Sequence, residues 1–306
     1  MSEAQLSIVI PVYNRAEVVT PTLESIAAQT YRPLHLILVD NNSTDSTRAV
    51  LDAWATAHSD DEFHVRVIGE NTPGPGAARN AGLGVVNTPW TMFFDSDDLM
   101  APDHCTRAMA AATATPEAQI VGWDLWLPGP GGIKRFRPFT TRDMVRANIF
   151  ESLFSTLHYM ARTELFRLAG GWDEVARVGE DVELGHRLLM LHPVCVRMPG
   201  HGETVTVVPE PLSLMRDGGG RLDRLEPALE NIRVNLLPAK QHLIDLQYIC
   251  AACGWAADDP DAPRKIAEII SRQPRARRLI FRMLYFYGRH GGRGIGRIYR
   301  LFSPQK

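Results

Sequence analysis

The stretch WTMFFDSDDLM, residues 90–100, carries an apolar run from Trp90 to Phe94 directly into Asp95, Asp97 and Asp98. A short continuous apolar run bounded by turn-forming residues reads as a buried strand, so these carboxylates stand where a strand leaves the core. Crowded carboxylates repel one another and raise each other's pKa, which calls for a metal ion, an arginine or an open face of water. No Lys or Arg adjoins them in the chain. Hard divalent cations take oxygen ligands, commonly one or two carboxylates with phosphate oxygens and water. An Asp-x-Asp pair at a strand end can supply that while leaving positions open for a diphosphate. The same short acidic pattern also occurs on ordinary solvated loops, so its context decides.

That strand is the fourth of a series. LSIVI (6–10), LHLILVD (34–40) and FHVRVI (63–68) read as earlier strands, separated by helix candidates near 17–29, 44–57 and 76–86. This alternation is the pattern of βα units building a mostly parallel sheet, an α/β fold. Pro21 either starts the first helix, with Thr20 as its cap, or kinks it, and Ser43 or Thr44 is placed to cap the second. Ligands of open parallel sheets bind beyond the carboxyl ends of the strands. The polar clusters fall there: PVYNR after the first strand, DNNSTD closing the second, NTPGPGAARN after the third and DSDD after the fourth. A pattern serving solubility alone has no reason to select that edge each time.

Downstream, a helix over 103–114 leads to a strand candidate, AQIVGWDLWL (118–127), and PGPGGIKRFRP (128–138) reads as a hairpin or a mobile loop. VGEDVELGHRLLML (178–191) has the apolar face of a helix, and GEDVEL sets Glu180, Asp181 and Glu183 at its start. Acidic residues there are favoured by the helix dipole; alternatively, one carboxylate held beside an acceptor hydroxyl serves as general base. ETVTVV (203–208) is strand-like, and from about 222 the chain reads helical, broken by DDPDAP (258–263). Trp123 and Trp126 fit core packing better than sugar stacking, while Trp172, after its glycine pair, is the better candidate for a sugar face.

With 306 residues, 45% hydrophobic and 22% charged, the composition is that of an ordinary globular protein. The N-terminal residues lack the charged-then-apolar pattern of a secretion signal, and no window approaches the ~18 uncharged apolar residues of a membrane span. A cytoplasmic location is the expectation. Four cysteines suit a reducing compartment, and Cys250-x-x-Cys253 lacks the second pair or nearby His that zinc needs, so it reads as buried helical cysteine. GPGAAR lacks the third glycine of a dinucleotide fingerprint and follows the third strand, not the first, which excludes an NAD reading.

The net charge of −2 hides an asymmetry: residues 261–306 hold 12 Lys or Arg against Asp261 and Glu268, leaving −12 on the remainder. This basic, aromatic-rich segment either lies on an anionic membrane surface through residues 264–302, at the inner face of the plasma membrane, or docks as helices on the acidic remainder. No nucleic-acid-binding module accompanies the charge, so nucleic acid is not expected as a partner.

SIVIPVYNR, ILVDNNSTDST, GPGAARNAGL, FFDSDDLM, GGWDE and GEDVELGHRL occur in the order and approximate spacing of the family 2 glycosyltransferases, which the chain resembles over roughly residues 6–190. The resemblance implies a GT-A fold, a Rossmann-like mostly parallel sheet flanked by helices. It also implies a nucleotide-diphosphate-sugar donor, a UDP-sugar foremost, with Mn²⁺ or Mg²⁺ as cofactor and inversion at the anomeric carbon. Carried onto this sequence, Pro11 and Tyr13 would hold the nucleotide base, Asp40 would accept a hydrogen bond from it, and Arg79 would lie near base or diphosphate. Arg15 and Ser96 join this donor-binding group. Asp95 would approach ribose or metal, Asp97 would be the main metal ligand, and Asp181, beside Glu180, would take the acceptor's proton. Trp172 would face the acceptor, a saccharide or a lipid-linked one.

The sequence departs from the family pattern twice. Asp40 is followed by Asn41 where two acidic residues are common, which bears on base or ribose contacts. Where relatives carry Tyr-Arg-x-His, this chain has LMRDGGGR (214–221); either Asp217 replaces the metal-binding His or the third protein ligand is missing, and DGGGR is equally a plain flexible turn. The expectation is a GT-A catalytic domain over 1–220 and a helical basic extension over 221–306, acting in cell-surface polysaccharide, glycolipid or other glycoconjugate synthesis. The alternatives are a sugar nucleotidyltransferase, against which PVYNRAE lacks a Gly-rich basic triphosphate loop, and a non-catalytic sugar-nucleotide-binding or membrane-adaptor protein, against which both Asp97 and Asp181 are retained.

Overall fold

Residues 6–12, LSIVIPV, are buried at every position except the half-buried Pro11. A strand buried on both faces needs helices over both. In the computed structural model, which describes residues 5–176, 178–200, 202–209 and 221–300, this strand lies inside a seven-stranded sheet.

The elements run β1 (Leu6–Val12), α1 (Thr20–Ala27), β2 (Leu34–Asp40), α2 (Thr47–His58), β3 (Phe63–Gly69), α3 (Pro75–Val85) and β4 (Trp90–Phe93). There follow β5 (Leu99–Met100), α4 (His104–Ala114), β6 (Ile120–Gly122), β7 (Leu125–Leu127), β8 (Arg135–Arg137), α5 (Met144–Glu151), β9 (Tyr159–Arg162), α6 (Thr163–Leu168), α7 (Glu180–Met190), β10 (Cys195–Arg197) and β11 (Val205–Thr206). The helices α8 (Arg221–Asn235), α9 (His242–Cys253), α10 (Ala262–Ser271), α11 (Arg275–Arg289) and α12 (Ile295–Arg300) complete the described chain.

The large sheet is ordered β10-β6-β9-β4-β1-β2-β3. Its pairs are parallel except at β9, which runs antiparallel to both β4 and β6. The chain winds outward from β1 to β2 and β3, then returns to the other side of β1 with β4. Such a reversal leaves a crevice at the carboxyl ends of the two strands it separates, here β1 and β4. A small second sheet, β5-β11-β7-β8, adjoins it.

Two apolar clusters cover the two faces of the large sheet. One contains Leu23 and Ile26 of α1, Leu51 and Trp54 of α2 and Cys105 and Ala108 of α4. The other contains Ala78 and Leu83 of α3, Phe166 of α6 and Leu184 and Leu188 of α7. A third unites α8 to α12 and takes in Ile149 of α5, Val178 just before α7 and Val182 within it, so these helices pack against the rest of the chain where α7 begins.

Several local expectations are corrected. AQIVGWDLWL is two short strands in different sheets, because Trp123 and Asp124 break the run. Pro21 lies in the first turn of α1, so the helix starts there unkinked, but Val19 precedes it and no side chain caps it. Ser43 and Thr44 do not cap α2, which begins at Thr47. PGPGGIKRFRP is the turn and second strand of the antiparallel β7–β8 hairpin. The strand in ETVTVV shrinks to Val205–Thr206.

Helix α3 lies against β1 because Gly82 has no side chain: a Cβ there would come within 2.3 Å of Val9 Cγ1 and 3.2 Å of Val39 Cγ2. Gly82→Val overpacks this contact and is expected to cost about 1–3 kcal/mol, read as a lower urea midpoint. An unchanged midpoint would show that α3 is free to move off the strand.

Candidate active site

The register places Val12 of β1 opposite Asp40 of β2, so the loops leaving the two strands are neighbours. They are bolted together by short polar side chains. The Asn14 N–H donates to Ser43 Oγ at 3.0 Å, the Thr44 N–H to Asn14 Oδ1 at 2.8 Å and the Arg15 N–H to Thr47 Oγ1 at 2.7 Å. This is where Ser43 and Thr44 act, in place of helix capping. Asn14 adopts the left-handed conformation with φ 49°, which Asn tolerates better than most residues. The result is a fixed ledge on which Tyr13 stands exposed. Asp40 is buried behind it, its Oδ1 accepting the Ser43 N–H at 3.3 Å.

Asn41 accounts for its own departure from two acidic residues. Its amide donates to the carbonyls of Glu70 and Thr72 at 3.1 and 2.7 Å, and its Oδ1 accepts the Gly74 N–H at 2.8 Å. A carboxylate can accept but cannot donate, so an Asp here would set oxygen against two carbonyls. Asn41 thereby fixes the loop that leads into α3.

Arg79 of α3 joins the two acidic motifs. It is buried, with Nη2 3.1 Å from Asp95 Oδ1 and Nη1 3.3 Å from Glu180 Oε1. Its guanidinium also lies over the Trp172 ring, 4.4 Å from the centroid. Burial opposes its charge, yet Asp95, Glu180 and Asp181 more than offset this and hold its pKa above the ordinary value. Trp172 is buried against Arg79 and, edge to face, against Phe93. Asn80 fixes its backbone from both sides, accepting from the Trp172 N–H at 2.7 Å and donating to its carbonyl at 2.9 Å. Trp172 therefore braces Arg79 and offers no open ring to a sugar, as does Trp123, whose indole N–H donates to the Leu157 carbonyl in the core. Asn80 follows Arg79 directly in GAARN, yet nothing in that motif marks its role, which depends on Trp172 lying nearby in the fold.

After β4, Asp95, Ser96, Asp97 and Asp98 occupy the crevice beside β1. Asp97 reaches across the reversal point to Arg15, Oδ2 to Nη2 at 3.8 Å. Asp98 faces the other way: it is buried, its Oδ1 accepts the Val208 N–H at 2.8 Å, and burial, with Asp95 and Asp97 adding to it, pushes its pKa up to about 8. Its place is in holding the loop. Ser96 is buried, and Pro11, two residues before Tyr13 in the chain, is half-buried.

Glu180 and Asp181 open α7, behind Gly179. Both carboxyls sit above their ordinary pKa: for each, burial is the largest cause, and Arg79 opposes it. Asp181 also accepts the Val182 N–H at 2.8 Å. Arg137 of β8 lies within electrostatic reach of Asp181; burial pushes its pKa down to about 10, Arg135 adding to this while Asp181 and Glu151 oppose it. No feature of the sequence singles out Arg137, since its place depends on the β7–β8 hairpin folding toward α7.

Side-chain exposures of 34% at Asp95 and 24% at Asp97 leave carboxylate oxygen accessible. An oxygen-only set of two carboxylates fits Mg²⁺ or Mn²⁺ completed by phosphate and water. Among the described residues no group of three or more His, Cys, Asp or Glu side chains is placed to hold a metal ion, here or elsewhere, so this site offers two carboxylates and no third protein ligand among them. Asp217 lies outside the described residues. The thiols of Cys250 and Cys253 are pushed up, to about 12 and about 11, chiefly by burial, as inert cysteines are.

Residues 7–160 match the model of the glycosyl transferase family 2. The chain is 28% identical over 211 residues to the succinoglycan biosynthesis protein ExoO of Rhizobium meliloti, a match covering 64% of this chain and 59% of that protein. In fold it is similar to S. aureus TarS 1-349 in complex with UDP, with a TM-score of 0.66 and 17% identity, covering 99% of this chain and 93% of that one. It is also similar to the mannosyltransferase PcManGT from Pyrobaculum calidifontis in complex with GDP-Man and Mn²⁺, with a TM-score of 0.51 and 19% identity over 98% and 88% of the two chains. The fold is GT-A, as the sequence motifs implied.

Arg79→Met removes the cation shared by Asp95 and Glu180. The expected loss is about 3 kcal/mol, the low end for breaking a buried pair because a third of Asp95 remains in water. The unpaired carboxyls would then bind protons more tightly folded than unfolded, so the variant should lose stability as pH rises. Urea unfolding at pH 5 and pH 8 should show the larger defect at pH 8; a pH-independent defect would contradict the pairing.

Proposed function

The chain belongs to glycosyl transferase family 2, and on that footing we propose that it transfers a sugar from a nucleoside-diphosphate donor, a UDP-sugar foremost, to an acceptor hydroxyl with inversion at the anomeric carbon. The observation that carries this reading is the convergence of Asp95 with Glu180 and Asp181 around one buried arginine at the strand reversal, with Asp97 beside them facing Arg15. The nucleotides held by two proteins of similar fold, UDP in one and GDP-Man in the other, support a nucleotide-sugar donor, and the Mn²⁺ of one supports a divalent cation.

In this reading Pro11 and Tyr13, at the end of β1, hold the nucleotide base, Tyr13 offering an aromatic face, and Asp40, at the end of β2, accepts a hydrogen bond from it. Arg15 approaches the diphosphate from the β1 loop. Asp97, with Asp95, would hold Mn²⁺ or Mg²⁺, which when bound stabilises the negative charge of the departing diphosphate as a Lewis acid. Arg79 fixes Asp95 and Glu180, so the donor side and the acceptor side keep one geometry.

Asp181 accepts the proton of the attacking hydroxyl. Burial, the largest cause, raises the pKa of this carboxyl, while the Val182 N–H, Arg79 and Arg137 favour the ionised form that a general base needs. The hydroxyl attacks opposite the leaving diphosphate in one displacement, so no residue need form a covalent intermediate with the sugar. The likeness to ExoO, named for succinoglycan biosynthesis, favours a cell-surface polysaccharide or related glycoconjugate as the product.

Asp181→Asn cannot take up the proton and is expected to lower sugar transfer by about 10²- to 10⁴-fold, while calorimetry finds the UDP affinity little changed. Asp97→Asn should instead remove the stimulation of UDP release by Mn²⁺. Full transfer by either variant would contradict these roles.

A further inference from the structure

Helix α11 is amphipathic on its inner side and apolar again on its outer side. Phe281, Leu284 and Gly288 are buried, Gly288 so closely that a Cβ would meet Cys253 Sγ and Ile295 Cδ1, each at 2.6 Å. This inner face is the docking face anticipated for the basic segment. It leaves Leu279, Met283 and Phe286, spaced i, i+4, i+7, on the opposite side, 61, 48 and 67% exposed. That spacing forms one stripe on a helix. Tyr287 borders it, also exposed.

Arg275, Arg282 and Arg289 repeat every seven residues along the flank of the stripe, and all three are exposed. Ion pairs nearby use Arg264, Lys265 and Arg272; among the described residues Arg275, Arg282 and Arg289 make none. No Asp or Glu follows Glu268 anywhere in the sequence. A contiguous exposed apolar patch marks an interaction surface. Here it is convex, on a helix, with these cations at its margin; Arg289 also donates to the Ala257 carbonyl at 2.8 Å, and the adjoining Asp258 is paired with Arg221.

Those features fit a helix lying in the plane of an anionic bilayer, its apolar stripe among the acyl chains and its arginines at the headgroups. No helix among the described residues is long and apolar enough to cross a membrane, so the contact is with one leaflet. We propose that α11 docks on an anionic lipid surface, inserting Leu279, Met283 and Phe286 and setting Arg275, Arg282 and Arg289 against the lipid phosphates.

The test is flotation of the full chain with vesicles of phosphatidylcholine alone and of phosphatidylcholine with an equal part of phosphatidylglycerol. Binding is expected with phosphatidylglycerol only and should weaken with added salt. Each of Arg275→Gln, Arg282→Gln and Arg289→Gln should lower partition about five-fold, and the triple change Leu279→Ser, Met283→Ser, Phe286→Ser should abolish it. These side chains face outward, so an unchanged urea midpoint and unchanged UDP binding accompany the loss. Equal flotation of the triple variant and the unaltered chain would overturn the proposal. So would a dimer in vesicle-free solution that the triple variant loses, with no vesicle binding by either protein, since the stripe would then be an interface between copies.

Discussion

A single buried guanidinium organises this molecule's chemistry. Arg79 satisfies Asp95, at the end of β4, and Glu180, at the start of α7, with one planar group. Asp95 and Glu180 are 85 positions apart in the sequence, and without a cation between them the two acidic motifs would repel. The surroundings are built to hold Arg79 still. Gly82 lets α3 lie on β1, and Trp172 covers the guanidinium. Gly76 lets the Asp173 backbone approach, since a Cβ there would come within 2.6 Å of the Asp173 carbonyl. Asn80 ties Trp172 back to the same helix.

The three carboxylates at Asp95, Asp97 and Asp98 are compensated in three different ways. Asp95 has an arginine. Asp98 is buried with a backbone N–H as partner and a strongly raised pKa. Asp97 keeps accessible oxygen toward the crevice, near Arg15, and is the residue of the three best placed to meet a cation carried in with a diphosphate.

Much of this was readable from sequence because the parallel core leaves a strong signal. Strand β2 matches its expected bounds, and β1, β3 and β4 differ only at their ends, since long buried runs between turn residues admit few other readings. The failures have physical causes. Strand β9 is buried at Tyr159, Met160 and Ala161 in succession, so it shows no alternation, and its antiparallel insertion cannot be inferred from βα periodicity. Helix α5 starts and stops on non-glycine residues in left-handed conformation, Asp143 and Ser152, where no capping pattern announces it. Asn41 reads from sequence as a change in base or ribose contacts, because sequence displays the type of a side chain and not its direction; its amide instead binds the carbonyls of Glu70 and Thr72. The roles assigned to Tyr13, Asp97 and Asp181 came from motif resemblance, and the folded chain brings their loops to one crevice edge; Arg137 and Asn80 acquire meaning only through tertiary neighbours.

The central claim is that the crevice between β1 and β4 receives the donor diphosphate and its cation together. Anomalous X-ray scattering at the manganese edge, from crystals grown with UDP and Mn²⁺, tests it most directly. The account predicts one strong peak within coordination distance of the Asp97 carboxylate and of the UDP diphosphate, with the base on the Tyr13 side. UDP bound away from this crevice, or a manganese peak remote from both Asp95 and Asp97, would contradict it.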